Sequence, residues 1–200
     1  MMSEHRFGTV ALVGRPNVGK STLLNRLVGA RLSIVTPRPQ TTRNRIAGIR
    51  TRPDAQVVVL DTPGVPTSES RLNRRLRRIV RETRAEADVL VVVIDATSGL
   101  RPLDRQLIGD GASVIAVSKV DAVAKPTLLP FIAEIAALGS EAPIVPVSGR
   151  DGTQVETLLD EIVARLPSGG ARFDAESLSL IHISEPRDCN EYLVCRLLLE

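Results

Sequence analysis

Cysteine and aromatic residues are scarce in this 200-residue chain, which has two cysteines, no tryptophan and 2% aromatic residues. Both cysteines, Cys189 and Cys195, lie near the C-terminus. Neither a disulfide framework nor a cysteine metal cluster can therefore be built over the rest of the chain. With so few aromatic residues, the core must consist mostly of Val, Ile, Leu and Ala. The balance of 43% hydrophobic and 24% charged residues is typical of a globular domain.

Long apolar runs are also missing. No run approaches the roughly 20 residues that a membrane-spanning helix needs, and the longest, 89–96, is predicted to be a buried strand. The N-terminus has no basic segment followed by an apolar stretch, so no secretory signal is predicted. We expect a cytoplasmic protein.

Lysine is rare as well: the chain has only Lys20, Lys119 and Lys125, although its net charge is +3 and its pI about 9.3. Arginines instead crowd one segment: Arg71, Arg74, Arg75, Arg77, Arg78, Arg81 and Arg84. Two explanations stay open, a solvated helix face and a phosphate-binding surface. No aromatic residue is interleaved for base stacking, which weakens the case for sequence-specific RNA contact.

Apolar periodicity predicts alternating strands and helices. Strands are predicted at 7–13, 44–51, 56–60, 88–95, 113–117 and 144–147. Helices are predicted at 21–28, 71–87, 101–110, 126–138 and 154–166, and a long loop at 30–43. This alternation implies right-handed crossovers and an α/β fold, with a mostly parallel central sheet covered by helices on both faces. Ligands bind at the carboxyl ends of such strands, where every motif below falls.

Residues 14–21, Gly-Arg-Pro-Asn-Val-Gly-Lys-Ser, satisfy the P-loop pattern between a predicted strand and a predicted helix. In such a loop backbone N–H groups and the helix dipole converge on phosphates. Lys20 supplies a point charge to the β and γ phosphates, and Ser21 supplies a hydroxyl to Mg²⁺. The motif predicts a P-loop NTPase in which the nucleotide contacts Asn17, Val18, Gly19, Lys20, Ser21 and Thr22.

A P-loop alone does not select guanine over adenine. Residues 118–121, Ser-Lys-Val-Asp, follow a predicted strand where guanine-specific GTPases have Asn-Lys-x-Asp. The Asp121 carboxylate can accept guanine N1–H and N2–H₂, a pair that adenine does not offer, and the Lys119 stem can pack along the base. Ser148 and Gly149 take the place of the loop whose backbone N–H meets guanine O6. These residues and Ser118 are the predicted base contacts for GTP or GDP.

Residues 61–64, Asp-Thr-Pro-Gly, match the second metal-side motif of GTPases. Asp61 should reach Mg²⁺ through water, and the Gly64 N–H should meet the γ-phosphate. Thr41 or Thr42 should cover the metal, and we favour Thr42. Val65 stands where many GTPases place a glutamine that orients water, so hydrolysis should be slow. The predicted metal ligands are Ser21, Thr42 and Asp61; the predicted catalytic residues are Lys20, Thr42 and Gly64.

Together these residues resemble the Era family of GTPases over about 8–167. The most specific stretch is 34–49, Ile-Val-Thr-Pro-Arg-Pro-Gln-Thr-Thr-Arg-Asn-Arg-Ile-Ala-Gly-Ile, which is close to the Era switch loop and argues against tRNA-modification and tandem-domain GTPases. The resemblance implies a G domain that acts in small-ribosomal-subunit assembly. It implies that a full-length relative continues into a KH domain binding the 3′ end of 16S rRNA. A monomer is expected, and peripheral attachment to the inner membrane stays open.

Three departures from the family pattern stand inside the G domain. Ser118 replaces an asparagine whose side chain reaches guanine N7 and steadies the P-loop, so nucleotide affinity should be lower. Gly149 replaces an alanine, which is a mild change for a backbone contact. The segment 101–111 is about five residues shorter than the family's helix there; a looser sheet edge and a damaged reading of the sequence are the two explanations.

The C-terminal residues depart further from the family. We predict an Era-type G domain at 1–170, the start of an interdomain linker at 171–177 and a non-native or disordered tail at 178–200. No Gly-x-x-Gly RNA-clamping loop follows Phe173, and 178–188 resemble a translated sequencing-library adapter. A short, divergent amphipathic tail is the alternative.

The leading functional hypothesis is therefore a slow GTPase whose nucleotide state regulates docking to the immature small subunit. One alternative is a GDP/GTP-binding module without useful turnover, which Val65 and Ser118 motivate. The other is a truncated chimera without a cellular role, which the tail motivates.

Overall fold

The computed structural model describes residues 5–29, 46–60 and 85–170. In these ranges the strands are β1 (Arg6–Val13), β2 (Ile46–Thr51), β3 (Ala55–Leu60), β4 (Val89–Asp95), β5 (Val114–Ser118) and β6 (Ile144–Pro146). The helices are α1 (Lys20–Val28), α2 (Pro102–Gly109), α3 (Lys125–Ala136) and α4 (Val155–Val163), with a 3₁₀ turn at Val120–Ala122.

The six strands form one sheet in the order β2-β3-β1-β4-β5-β6. Only β2 and β3 pair antiparallel, and the other four pairings are parallel. The predicted mostly parallel α/β sheet is therefore confirmed, and the described element ends lie within three residues of the predicted ones. The predicted loop 30–43 and nearly all of the predicted helix 71–87 lie outside the described residues.

The inner strands bury both faces, and their side chains alternate between two apolar clusters. Val10 and Leu12 of β1 join the cluster beneath α1 and α4. Ala11 and Val13 join the cluster beneath α2 and α3. The sheet is thus covered by helices on both faces, as predicted. Among the described residues, every buried apolar side chain of the core is Val, Leu, Ile or Ala, in keeping with the shortage of aromatic residues.

Helix α1 begins after Gly19 and ends at Gly29, and both glycines have left-handed backbone angles, with φ of 94° and 78°. Glycine adopts this conformation without the strain that a side chain would add. The predicted stop at Gly29 is confirmed. Helix α2 is short, as predicted, but it is well packed, because Leu103, Leu107 and Ile108 are buried.

The two ends of the described part of the chain, near residues 5 and 169, are hydrogen-bonded to each other. Phe7 donates its N–H to Pro167 O at 3.2 Å, and Gly169 donates to His5 O at 2.9 Å. The predicted linker and tail, 171–200, lie outside the described residues, so the proposed domain division remains a prediction. Within the described ranges, no helix has the length and apolar character needed to cross a membrane.

We expect Leu158→Ala to lower the free energy of unfolding by about 2–5 kcal/mol, because it opens a cavity beneath α4. Leu158 is fully buried, whereas Leu129 on α3 is 72% exposed. The matched Leu129→Ala should change the free energy by less than about 0.5 kcal/mol. Urea denaturation followed by circular dichroism measures both values. Equal losses would contradict the assignment of Leu158 to the core.

Candidate functional site

Four loops meet at the carboxyl edge of the parallel strands. They follow β1, β4, β5 and β6 and comprise 14–19, 96–101, 119–124 and 147–154. Ser118, at the end of β5, pairs with Asp95 at the end of β4. The motifs that lie more than a hundred residues apart in the sequence are thereby brought to one edge.

The P-loop (residues 14–21) fits against β4 so closely that its first residue must be glycine. A side-chain carbon on Gly14 would lie 2.4 Å from Val93 O and 3.1 Å from Val18 Cγ2. At the other end of the loop, Gly19 takes a left-handed conformation and starts α1. The two motif glycines therefore serve a close approach and a turn respectively.

The Lys20 side chain curls back over the P-loop. Its ammonium donates to Gly14 O at 3.0 Å and to Arg15 O at 2.6 Å. Burial, and after it the positive charge of Arg15, lower the pKa of Lys20 to about 8. A nearby anion would favour the charged form again, so the site has an ammonium whose charge a phosphate would stabilise.

The N-terminus of α1 is open toward solvent. Gly19 provides no side-chain cap, and the first turn contains no acidic residue. Ser21 and Thr22 in that turn are exposed. Uncapped N–H groups at a helix start, together with the helix dipole, form an anion-binding position.

Ser118 ties β5 to the P-loop. Its buried hydroxyl lies 2.6 Å from Val18 O and 3.0 Å from Ile94 O. A hydroxyl has one proton to donate, so these two carbonyl oxygens share it. Serine thus keeps the steadying contact that the family's asparagine was expected to make, through a shorter side chain.

Lys119 is held by an acidic residue at the end of β4. Its ammonium donates to Asp95 Oδ2 at 2.7 Å, while Thr97 donates both its N–H and its hydroxyl to Asp95 Oδ1. Burial acts to raise the pKa of Asp95, but the hydrogen bonds from Lys119 and Thr97 outweigh it and leave the pKa below its usual range. The Lys119 stem is therefore fixed beside the P-loop, with Cε 3.8 Å from where a side-chain carbon on Gly19 would lie.

Asp121 is oriented by the loop after β6. The Ser148 hydroxyl donates to Asp121 Oδ1 at 2.7 Å and accepts the N–H groups of Arg150 and Asp151. The Ser148 N–H is already bonded to Thr153 O at 3.0 Å. Within the described residues the Gly149 N–H has no acceptor, so Gly149, rather than Ser148, offers the free backbone donor.

Gly149 also explains how the loop after β6 approaches α1. A side-chain carbon there would lie 3.0 Å from Leu23 N and 3.1 Å from Thr22 C. The family's alanine would therefore require a shift of a few tenths of an ångström. The glycine at position 149, an exchange predicted from the sequence to be mild, therefore lets this loop lie closer to α1 than an alanine would allow.

Mg²⁺ fits what the described residues offer. It prefers oxygen ligands and commonly keeps water and substrate phosphates with only one or two protein ligands. The exposed Ser21 hydroxyl, one residue after Lys20, is such an oxygen ligand. In the described ranges there is no group of three or more His, Cys, Asp or Glu side chains that could hold a metal without a nucleotide.

Several predicted site residues lie outside the described residues: Thr41, Thr42, Asp61, Gly64, Val65 and the arginines of 71–84. Their roles remain predictions. The described site instead brings together the P-loop with Ser118, Lys119, Asp121 and the 148–149 pair, which local motifs had indicated.

Sequence reasoning missed two acidic partners, Asp95 and Asp104. Asp95 holds Lys119, and fully buried Asp104 holds Arg15, whose Nε lies 2.9 Å from both carboxylate oxygens. No local pattern links Arg15 to a residue so distant in the sequence. The sequence predicted a short helix at 101–110, but not this contact.

Comparisons with known proteins show the family of the chain. The family model described as "50S ribosome-binding GTPase" matches residues 9–121. GTPase Era of Bordetella pertussis is 43% identical over 181 residues, covering 88% of this chain and 61% of the relative. The chain thus spans about three fifths of the length of that curated relative.

Two solved structures are also similar. A crystal structure of Era with MgGDPNP and nucleotides 1506–1542 of 16S ribosomal RNA is 37% identical, with a TM-score of 0.70, covering 85% of this chain and 60% of that one. A variant of Aquifex aeolicus Era bound to GDP·AlF₄⁻ is 36% identical, with a TM-score of 0.68, over 84% and 60%. The chain therefore belongs to the family of 50S ribosome-binding GTPases, and the part that is described is a P-loop G domain homologous to that of GTPase Era.

Proposed function

We propose that this chain is the switch domain of an Era-like GTPase, which binds GDP or GTP with Mg²⁺ and hydrolyses GTP slowly. The observation that carries the proposal is the meeting of the P-loop with the two base-recognition loops. Asp121 is bonded to Ser148, and the Lys119 stem lies beside Gly19. One nucleotide can therefore place its phosphates on the P-loop and its base against Asp121.

Phosphate binding rests on Lys20 and the start of α1. The Lys20 ammonium donates to two loop carbonyls, and its third N–H could donate to a β- or γ-phosphate in a charge-assisted hydrogen bond. The uncapped N–H groups of α1 would add further donors. In this proposal Asn17, Val18, Gly19, Lys20, Ser21 and Thr22 surround the phosphates.

Guanine selection rests on Asp121. Ser148 occupies one lone pair of its Oδ1, which fixes the carboxylate and leaves acceptor capacity for guanine N1–H and N2–H₂. Adenine has an unprotonated N1 and no amino group at C2, so it would leave the carboxylate without donors. The free Gly149 N–H is suited to guanine O6.

Ser118 should affect affinity more than selectivity. Its hydroxyl proton is shared by Val18 O and Ile94 O, so it has no second donor for N7 of the base. N7 is an acceptor in guanine and adenine alike. Losing that contact therefore weakens the binding of guanine and adenine nucleotides alike. The ratio of the two affinities is set by Asp121.

Hydrolysis is proposed to be slow because the residue after Gly64 is a valine and not the glutamine that orients water in many GTPases. Bound Mg²⁺ would offset negative charge on the β and γ phosphates. Ser21, Thr42 and Asp61 would hold the metal, and Lys20, Thr42 and Gly64 would stabilise the transferring phosphoryl group. Val65, at the usual glutamine position, cannot hydrogen-bond an attacking water.

The cellular partners are proposed from the relatives. Era has been solved with a 16S rRNA segment, whereas the broader family description names the 50S ribosome. The Era match is the more specific, so we favour the small subunit and its 16S rRNA as partners of the full-length protein. RNA contact by this chain alone is not expected. A cytoplasmic monomer is proposed, with peripheral membrane attachment as a separate question.

A binding module without useful turnover is the second candidate, because Ser118 lacks a donor for the base and Val65 lacks one for water. Nucleotide selectivity would be the same in both cases. Only turnover separates them, so the test must measure hydrolysis as well as base preference.

We expect Asp121→Asn to change the preferred substrate from GTP to XTP in single-turnover hydrolysis. An amide donor would face the donors of guanine, but it would match the C2 carbonyl of xanthine, so GTP affinity should fall at least about a hundredfold. Wild type should hydrolyse GTP slowly and spare ATP and XTP.

The control for this exchange is Asp151→Asn, an exposed acid in the neighbouring loop after β6 that accepts hydrogen bonds from Thr153. It should behave as wild type. GTP binding without hydrolysis would favour the binding module. Equal use of GTP and ATP by wild type would contradict guanine selection by Asp121.

We expect Ser118→Asn to raise the affinity for GDP about three- to tenfold, because its amide has two N–H donors, one for Val18 O and one for N7. The ratio of GDP to ADP affinity should not change. Fluorescence competition with a labelled GDP gives both quantities. Ser140→Asn, the same exchange in the turn after α3, should have no effect; a change in the GDP:ADP ratio at position 118 would oppose this division of roles.

We expect the preference for GDP over guanosine to decrease as the pH rises above about 8. The pKa of free Lys20 is about 8. At higher pH phosphate binding must first reprotonate it, which costs up to about tenfold per pH unit. Guanosine shares the base but has no phosphate, so the ratio cancels titration of guanine. Titrations without Mg²⁺ at about pH 7 and about pH 9 test this; a constant ratio would argue against the low pKa.

A further inference from the structure

The side chain of Arg15, the second residue of the P-loop, extends toward α2. Its Nε–H is shared by Asp104 Oδ1 and Oδ2, each at 2.9 Å, and its Nη2 donates to Ser98 Oγ at 2.6 Å. The Arg15 side chain is 20% exposed, whereas that of Asp104 is fully buried. This is a charge pair inside the domain rather than a surface contact.

The same residue touches the phosphate lysine through its backbone. The Lys20 ammonium donates to Arg15 O at 2.6 Å. Asp104 also accepts the Arg101 N–H at 3.0 Å, which anchors the carboxylate in the first turn of α2. A continuous chain of short polar contacts therefore runs from the start of α2 through Arg15 to Lys20.

We propose that Asp104 is a positioning residue for nucleotide binding: through Arg15, it holds the P-loop and Lys20 in the geometry that accepts phosphates. The inference rests on the proposed function and adds a residue to it from outside the GTPase motifs. Because a buried carboxylate needs its cationic partner, Arg15 has one favourable direction. The backbone carbonyl of Arg15 is thereby held at the position where it accepts the hydrogen bond from Lys20.

A positioning role and a general structural role can be told apart by the part of the nucleotide whose binding is weakened. Arg15 and Lys20 lie on the phosphate side, whereas Asp121 and Ser148 form a separate hydrogen-bonded pair on the base side. Loosening the Arg15–Asp104 pair should thus weaken GDP binding and spare guanosine binding. A general loss of structure would weaken both together.

The test is a titration of the full chain with GDP and with guanosine. We expect Asp104→Asn, which keeps the shape but removes the charge, to weaken GDP binding about tenfold or more. Guanosine affinity should stay within about twofold, because no base contact changes. A double variant, Arg15→Met with Asp104→Leu, should give the same pattern, and it covers the case in which Asp104→Asn does not fold, since apolar pairs commonly replace buried ion pairs without loss of stability.

The matched control is Glu134→Gln. It removes the partner of Arg105, the residue next to Asp104 on α2, in an ion pair that leads to α3 rather than to the P-loop. Its GDP affinity should equal that of wild type. Unchanged GDP affinity in folded Asp104→Asn or the double variant, or a parallel loss of guanosine affinity, would overturn the positioning role. Failure of wild type itself to bind GDP would instead overturn the proposed function, and this inference with it.

Discussion

The parallel register of β1, β4 and β5 is the constraint on which the whole site depends. Val13 pairs with Val92, and Asp95 pairs with Ser118. Strands that run the same way end at the same edge, so the loops that leave them must converge there. The P-loop needs β4 beneath it, because its first residue lies against Val93 O. The parallel pairing of these buried strands is therefore also what assembles the site.

At that edge the buried polar side chains are all hydrogen-bonded. Asp95, Asp104, Ser118 and Ser148 are all buried. Each has a hydrogen-bond partner on a different loop or strand, which offsets the cost of removing it from water. Such contacts fix side-chain directions before a ligand arrives. In the described ranges, the site is thus arranged by a polar layer above a core whose fully buried side chains are aliphatic, and less reordering is left for nucleotide binding to drive.

The sequence was sufficient for the fold because its signals are local. The buried strand β4 was predicted from an unbroken apolar run, and the ends of α1 were predicted from its motif and Gly29. That same run gives no indication of which residues face which cluster, since both faces are apolar. The P-loop and the base motif were predicted because each is contiguous.

The contacts that orient these motifs could not be predicted in the same way. Arg15–Asp104 and Lys119–Asp95 join separate loops, and no periodicity encodes such a pairing. The Ser148 N–H is bonded to Thr153 O because of the turn between these residues. The sequence could not show this, so it could not predict which of Ser148 and Gly149 offers the available backbone N–H. The roles of Thr42, Asp61 and Gly64 stay predictions, because these residues lie outside the described ranges.

Under the proposed function, the serine at position 118 separates nucleotide affinity from selectivity. Its single hydroxyl proton serves carbonyl oxygens of the P-loop and β4, so the link between these two elements is kept while the base would lack a donor. Asp121 is oriented from the other side by Ser148 and does not depend on that donor. Under the proposed function the domain should still choose guanine but hold it more weakly. Affinity differences between related complexes lie mostly in the dissociation rate, so GDP would dissociate faster than from a domain with asparagine at position 118. Exchange of GDP for GTP would then depend less on a partner protein.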